Sequence, residues 1–197
     1  MNSEDKAEVK ELNIGSKMKS LREKKRLSLE NIAKKTGISP LLLSQIESEV
    51  VTPPIATLLK ISKALATGMG YFFSDAPSDK KSILVKKGEG KRLQRRSHEE
   101  QGKIGYTYES LAYPKEKKSM EPFLVEFERK EKKELIFFNH KGEEFLYLLE
   151  GLLEFNSDEQ TCELSPGDSL YFDSNLPHAF RALGKKNARA LVVIYQG

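Results

Sequence analysis

Residues 36 to 47, Thr-Gly-Ile-Ser-Pro-Leu-Leu-Leu-Ser-Gln-Ile-Glu, leave the backbone little choice. Ala33 and Gly37 stand four apart, the spacing at which two helices come close. Gly37 also supplies a position that turns the chain without a Cβ clash. The hydroxyl of Ser39 suits the cap of a new helix, and Pro40 suits its first position, where a missing N–H and a fixed φ cost nothing. The run therefore predicts a helix ending near Lys35, a tight turn, and a second helix from Ser39 to Glu47.

Helical spacing extends on both sides. Ile14, Met18 and Leu21 recur at that spacing and lead into the basic stretch Arg22-Glu23-Lys24-Lys25-Arg26, so 13–26 reads as an amphipathic helix. Ser28 caps the helix that runs to about Lys35. Thr52-Pro53-Pro54 punctuates before a further helix from about Ile55 to Leu65, with Leu58, Ile61 and Leu65 on one face. Gly68-Met69-Gly70-Tyr71-Phe72-Phe73 reads as a short closing helix. An all-α domain is expected over 12–74.

After residue 103 the texture changes. Short apolar runs at Phe123–Phe127, Glu134–Phe138, Phe145–Leu149, Ser169–Phe172 and Ala190–Tyr195 alternate with turn signals such as Glu150-Gly151 and Pro166-Gly167-Asp168. This pattern predicts an all-β sandwich or barrel over 104–197. The intervening 75–103 is a basic linker that opens on the flexible Ser74-Asp75-Ala76-Pro77-Ser78-Asp79 and includes an edge strand at Ile83-Leu84-Val85. His98 reads as exposed. Arg92, Arg95 and Arg96 either extend a polyanion-binding surface, bind an anionic ligand, or are simply solvated.

Charge divides the chain. Residues 12–68 carry ten Lys or Arg against four Asp or Glu, and 77–96 carry eight against two, a net +6 in each. Residues 97–197 carry 13 against 18, a net −5. A basic front half points to a polyanion partner for that half alone. No apolar run approaches the roughly 18 residues needed to span a bilayer, and Met1 to Lys6 lacks the pattern of a signal peptide, so a cytoplasmic protein without membrane contact is expected. The single Cys162 has no partner for an internal disulfide. Its strand-like, acidic setting makes it a structural residue rather than a nucleophile.

The helical half, over about residues 12 to 74, resembles the phage-repressor-like, XRE-type helix-turn-helix domains. The likeness rests on Ile14 with Leu21-Arg22, on Ser28 to Ala33, on Gly37-Ile38-Ser39, on Leu43 to Glu47, and on Pro53 to Leu65. Glu49 departs from the family, which has glycine after the recognition helix. The resemblance implies that the helix from Ser39 enters the major groove of double-stranded DNA. Ser39, Pro40, Leu41, Ser44 and Gln45 then face the bases, while Leu42, Leu43 and Ile46 pack inward. Gln45 matches N6 and N7 of adenine, a pairing worth about 1–3 kcal/mol of discrimination. Pro40 and Leu41 offer only apolar contact, so much of the affinity is expected from phosphate contacts by Lys17, Arg22, Lys34, Lys35 and Lys60.

Two passages of the β half resemble cupin motifs: His140 to Gly151 the first, and Pro166 to His178 the second. The likeness implies a double-stranded β-helix, or jelly-roll, barrel. Cupins often hold a metal through two histidines and a glutamate of the first motif and one histidine of the second. Here those positions carry Phe138 in place of the first histidine, then His140, Glu144 and His178. Three of four ligands remain. His140 and Glu144, four apart in a strand, point to one face, and His178 completes a two-histidine, one-carboxylate set suited to a divalent metal. The other readings are an organic-ligand pocket without metal, walled by Phe138, Tyr147 and Phe172 with Tyr106 and Tyr108, and a dimerisation barrel with no ligand.

Helix-turn-helix followed by cupin resembles a class of bacterial regulators. It implies a homodimeric transcriptional regulator on a pseudo-palindromic operator, with a barrel that senses a small-molecule effector. The alternative is a cupin metalloenzyme, a dioxygenase or isomerase, with an accessory DNA-binding head. Only three histidines in the chain leave little acid–base machinery for that alternative.

Overall fold

A computed structural model describes residues 12–76, 78–93 and 105–195. Arg95, Arg96 and His98 lie outside the described residues. Among the described residues five helices come first: α1 Ile14–Lys24, α2 Leu29–Thr36, α3 Pro40–Glu47, α4 Ile55–Ala64 and α5 Gly70–Phe73. Their ends follow the local chemistry. Ser28 Oγ accepts from the Asn31 N–H and Asn31 Oδ1 accepts from the Ser28 N–H, a reciprocal cap that closes the start of α2. Gly37 ends α2 at φ 72° and donates to Ala33 O at 2.8 Å. Ser39 Oγ caps α3 through the Leu42 N–H at 3.2 Å, with Pro40 at the first position.

Ile14, Met18, Ile32, Leu43, Ile46, Leu58, Ile61, Leu65 and Phe72 are fully buried and form the core of this half. The helices are tightly set. A Cβ on Gly15 would collide with the carbonyl oxygen of Ile46, so α1 crosses the end of α3 where only glycine fits. Glu49 adopts the left-handed φ of 59° that a glycine would take. Its carboxylate compensates by accepting from the Ser16 N–H at 3.0 Å, tying the end of α3 to the first turn of α1.

Among the described residues nine strands follow: β1 Lys91–Arg92, β2 Tyr106–Ser110, β3 Met120–Phe127, β4 Glu143–Glu150, β5 Leu153–Ser157, β6 Thr161–Leu164, β7 Ser169–Asp173, β8 His178–Ala182 and β9 Ala188–Tyr195. They form an antiparallel six-stranded sheet in the order β1-β2-β3-β9-β4-β7 and a three-stranded sheet β6-β5-β8. Aromatic pairs Phe155–Phe172 and Phe127–Phe180, with ring centroids 5.0 and 5.2 Å apart, join the sheets across the interior. Alternation sorts the larger sheet cleanly. Phe123, Val125, Phe127, Leu146, Leu148, Ala190, Val192 and Ile194 face inward and are buried.

Two expectations fail. The edge strand of the linker is Lys91–Arg92, against β2, whereas Ile83-Leu84-Val85 joins no ladder and Leu84 is exposed. Glu134–Phe138 is not a strand. Lys132–Glu134 forms a 3-10 turn, and Phe138 reaches the sheets through one isolated bridge, to His178.

The helical half packs on the inner side of β2 and β3. Phe73 lies against Tyr108 and Phe123, at 6.3 Å in each case. Pro54, at the N-cap of α4, has no side chain with which to cap it. The Tyr106 hydroxyl does that from the β-domain by accepting from the Ile55 N–H at 3.3 Å, and Tyr108 donates to Pro53 O at 2.9 Å. The first turn of α4 is thus held from outside its own domain.

Candidate functional site

Ser39, Pro40, Leu41 and Ser44 are exposed on α3, Leu41 at 69%, while Leu43 and Ile46 are buried and Leu42 and Gln45 are half-buried. The inward and outward faces of α3 thus match the sequence reading. Lys34 is exposed at the end of α2. Two basic residues expected at phosphates are occupied elsewhere. Arg22 grips Glu47 with two prongs, Nε–Oε1 at 2.6 Å and Nη2–Oε2 at 2.8 Å, and donates to Leu27 O at 2.9 Å. Its side chain is only 12% exposed. Lys17 pairs with Asp75 at 2.8 Å and donates to Phe72 O and Ser74 O, where it closes the end of α5. Lys35 lines a cleft with Lys60, Lys63, His140 and Lys141.

The structure brings together the three proposed metal ligands, though not by the expected route. His140 lies in the loop before β4, not in a strand. Its backbone donates to Ser174 O, Ser174 donates to Gly142 O, and Gly142 turns at φ 117° to bring Glu144 alongside. His140 Nε2 is 3.1 Å from Glu144 Oε2, and His178 Nε2 is 3.8 Å from the same oxygen. The three donor atoms lie within 4.8 Å of one another, and all three residues are buried.

His178 Nδ1 is 2.8 Å from Leu176 O. A carbonyl only accepts, so Nδ1 carries the proton and Nε2 presents its lone pair toward Glu144. Burial holds the His178 imidazole below its ordinary pKa and so favours the neutral ring, against the Glu144 carboxylate, which pulls toward the charged one. His140 Nδ1 is buried without a hydrogen-bond partner. The donor set of two imidazoles around one carboxylate fits a divalent cation: ligands at about 2.1 Å from one ion stand about 3–3.5 Å apart, and the two nitrogen–oxygen spacings of 3.1 and 3.8 Å lie close to that.

The cavity beside the triad is mostly apolar. Phe138 and Tyr106 line it with Val125, Phe127, Val192 and Ile194 from the inner rows of β3 and β9. Ile55 and Ala56, from the first turn of α4, line it too. Neither was singled out from sequence, because nothing local marks a helix start as the wall of a distant barrel. Tyr147 is not in the cavity. It stands on the outer face of β4, 39% exposed, where one residue of alternation separates it from the buried Leu146 and Leu148. Phe172 is buried behind His178, edge-on at 4.7 Å, and Tyr108 belongs to the junction with Pro53. Half-buried Cys162 has a thiol pKa raised by burial, consistent with a structural residue.

Residues 18–72 match a helix-turn-helix family and residues 123–194 match the cupin domain family. The Escherichia coli HTH-type transcriptional regulator PuuR is 25% identical over 170 residues, covering 84% of this chain and 85% of the relative. SutR, an HTH-type transcriptional regulator of the same organism, is 34% identical over 70 residues, 36% of this chain and 39% of the relative. A crystal structure of an HTH_3 family transcriptional regulator from Vibrio cholerae superposes with a TM-score of 0.63 at 25% identity, covering 94% of this chain and 96% of that one. The chain thus carries an XRE-type helix-turn-helix domain followed by a cupin domain, and it is similar over most of its length to an HTH-type transcriptional regulator.

Proposed function

We propose that this protein is a sequence-specific DNA-binding transcriptional regulator whose cupin barrel senses a small molecule and passes its occupancy directly to the reading head. The observation that carries this reading is the shared cavity wall: Ile55 and Ala56 of α4 close a chamber otherwise built by the barrel. Any effector that fills the chamber touches the head. The Tyr106 cap on Ile55 and the Tyr108 bond to Pro53 fix the same turn, so a ligand that displaces Tyr106 releases the start of α4. Occupancy shifts DNA affinity only by the difference in effector affinity between the two head positions.

His140, Glu144 and His178 would hold a divalent metal in the chamber, where it would offer open positions to an oxygen or nitrogen donor of the effector. Turnover has less support. Beyond the triad, the ionisable groups lining the chamber are Tyr106 and Lys130, and burial pushes the Tyr106 hydroxyl well above its ordinary pKa. At the head, Ser39, Pro40, Leu41, Ser44 and Gln45 form the base-facing surface, and Lys34 is the phosphate contact on α2. Two copies form a homodimer that presents paired α3 helices to half-sites roughly 34 Å apart.

Binding of selected operator DNA by Gln45→Ala tests the head. Sequence preference should relax by about 1–3 kcal/mol at one base pair, with non-specific affinity retained. A variant that discriminates as the parent does would sink this assignment. Metal content of untagged protein purified without chelator tests the triad: one divalent ion per chain is expected, lost in both His140→Ala and His178→Ala.

A further inference from the structure

Beside the chamber lies a second concavity. Lys35, Lys60 and Lys63 of the helical domain and Lys141 of the barrel line one cleft, and His140 lines both this cleft and the chamber. Lys60 donates to the neutral Asn139 Oδ1 at 3.2 Å. Among the described residues no carboxylate pairs with any of the four lysines. The cleft therefore gathers four lysines without an ion-pair partner among the described residues between two domains, and their summed positive potential favours an anion there. The unpartnered, buried Nδ1 of His140 stands on the residue that separates this charge from the apolar chamber. A charged cleft against an apolar chamber is complementary to a molecule with an anionic head and an apolar body.

We propose that the effector is an amphiphilic anion, with its carboxylate or phosphate group held by Lys35, Lys60, Lys63 and Lys141 beside His140 and its apolar part in the chamber. This assignment rests on the sensor reading for the identity of the chamber, and it adds the ligand class. It also explains how binding is felt at the head. Three of the lysines move with the helices and one with the barrel, so the anion is a clamp between them, and like-charge repulsion across the cleft is relieved when it binds.

Calorimetric titration of the full chain with octanoate, octyl phosphate and octylamine tests the assignment without operator DNA. The two anions should bind saturably at one per chain, and octylamine should not. Lys63→Ala/Lys141→Ala should weaken octanoate binding about tenfold or more. Both residues are exposed, so the variant should melt with the parent. Octylamine binding as tightly as octanoate would overturn the proposal, as would no saturable binding of either anion. So would a double variant that keeps full octanoate affinity yet loses operator affinity, which would make the cleft a DNA-backbone surface. Intact octanoate binding with no operator binding would overturn the regulator reading and leave the anion site standing.

Discussion

Arg22 shows how one side chain can be read in the right place and given the wrong work. It begins a basic run, which invites assignment to phosphate. It also lies four residues after Met18 and eight after Ile14, on the stripe that α1 turns to the core. There its guanidinium meets the buried carboxylate of Glu47, and the pair pins α1 to α3. Removing the cation strands a buried anion. Arg22→Ala should therefore cost about 3–5 kcal/mol in thermal or urea unfolding, and Arg22→Met/Glu47→Leu should recover most of it. A loss under 1 kcal/mol in the single variant would put the residue back on the surface. The triad teaches the converse: His140, Glu144 and His178 were legible from their motifs, but the loop through Gly142 that joins the first two was not.

At the scale of elements, the helices were legible nearly to the residue because Ser28, Gly37, Ser39 and Pro40 state their ends locally. The strands were less so. β5 and β8 have burial without regular alternation, and β5 carries Glu154 and Asn156, which look like loop residues until Arg181 of β8 pairs with Glu154 at 2.7 Å and Asn156 donates to it at 2.8 Å. Buried polar groups need partners, here an arginine that arrives from another strand, and a linear sequence does not show that arrival. β3 holds a related case. Glu121 is 3% exposed on its inward row, with Lys118 Nζ at 3.2 Å. Burial outweighs that cation and raises the Glu121 carboxyl to a pKa of about 7. The unfolded chain loses this proton near its ordinary value of 4.5, and the folded chain keeps it until higher pH. Stability from this group is therefore full below the unfolded value and declines as pH rises through about 7. Glu121→Gln removes the titration. Relative to the parent, its stability should rise between pH 5 and pH 8, by about 2–4 kcal/mol. A difference that stays flat across this range would place the ionised carboxylate in the native state throughout.

The whole molecule turns an apolar surface to solvent. On the outer face of the larger sheet, the register sets Met120 opposite Tyr195, Pro122 and Phe145 opposite Val193, Leu124 and Tyr147 opposite Leu191, and Phe145 opposite Tyr171. Met120, Tyr147, Leu149, Tyr171 and Tyr195 are 61, 39, 43, 63 and 43% exposed. At about 200 Å² for a large side chain they expose about 500 Å², and the half-buried residues between them bring the patch to about 700 Å². That approaches the roughly 800 Å² per partner of a standard interface and exceeds what most monomers expose. One end has a polar rim, where Glu126 takes Arg92 at 3.1 Å and Asn187 at 2.8 Å. The head occupies the inner side of β2 and β3, so a second copy on this outer face would leave both heads available to DNA. A two-fold axis through it would place the same residues on both sides, so one introduced charge would count twice. Tyr171→Glu should give a monomer in sedimentation velocity at about 10 µM, where the parent should sediment as a dimer. Its exposed position predicts an unchanged melting curve. Single half-site affinity should persist in the variant, while the gain in affinity from a second half-site disappears, because that gain exists only when two heads are tethered. A parent that sediments as a monomer with operator bound would overturn the paired arrangement, and a Tyr171→Glu protein that remains dimeric would move the contact to another face.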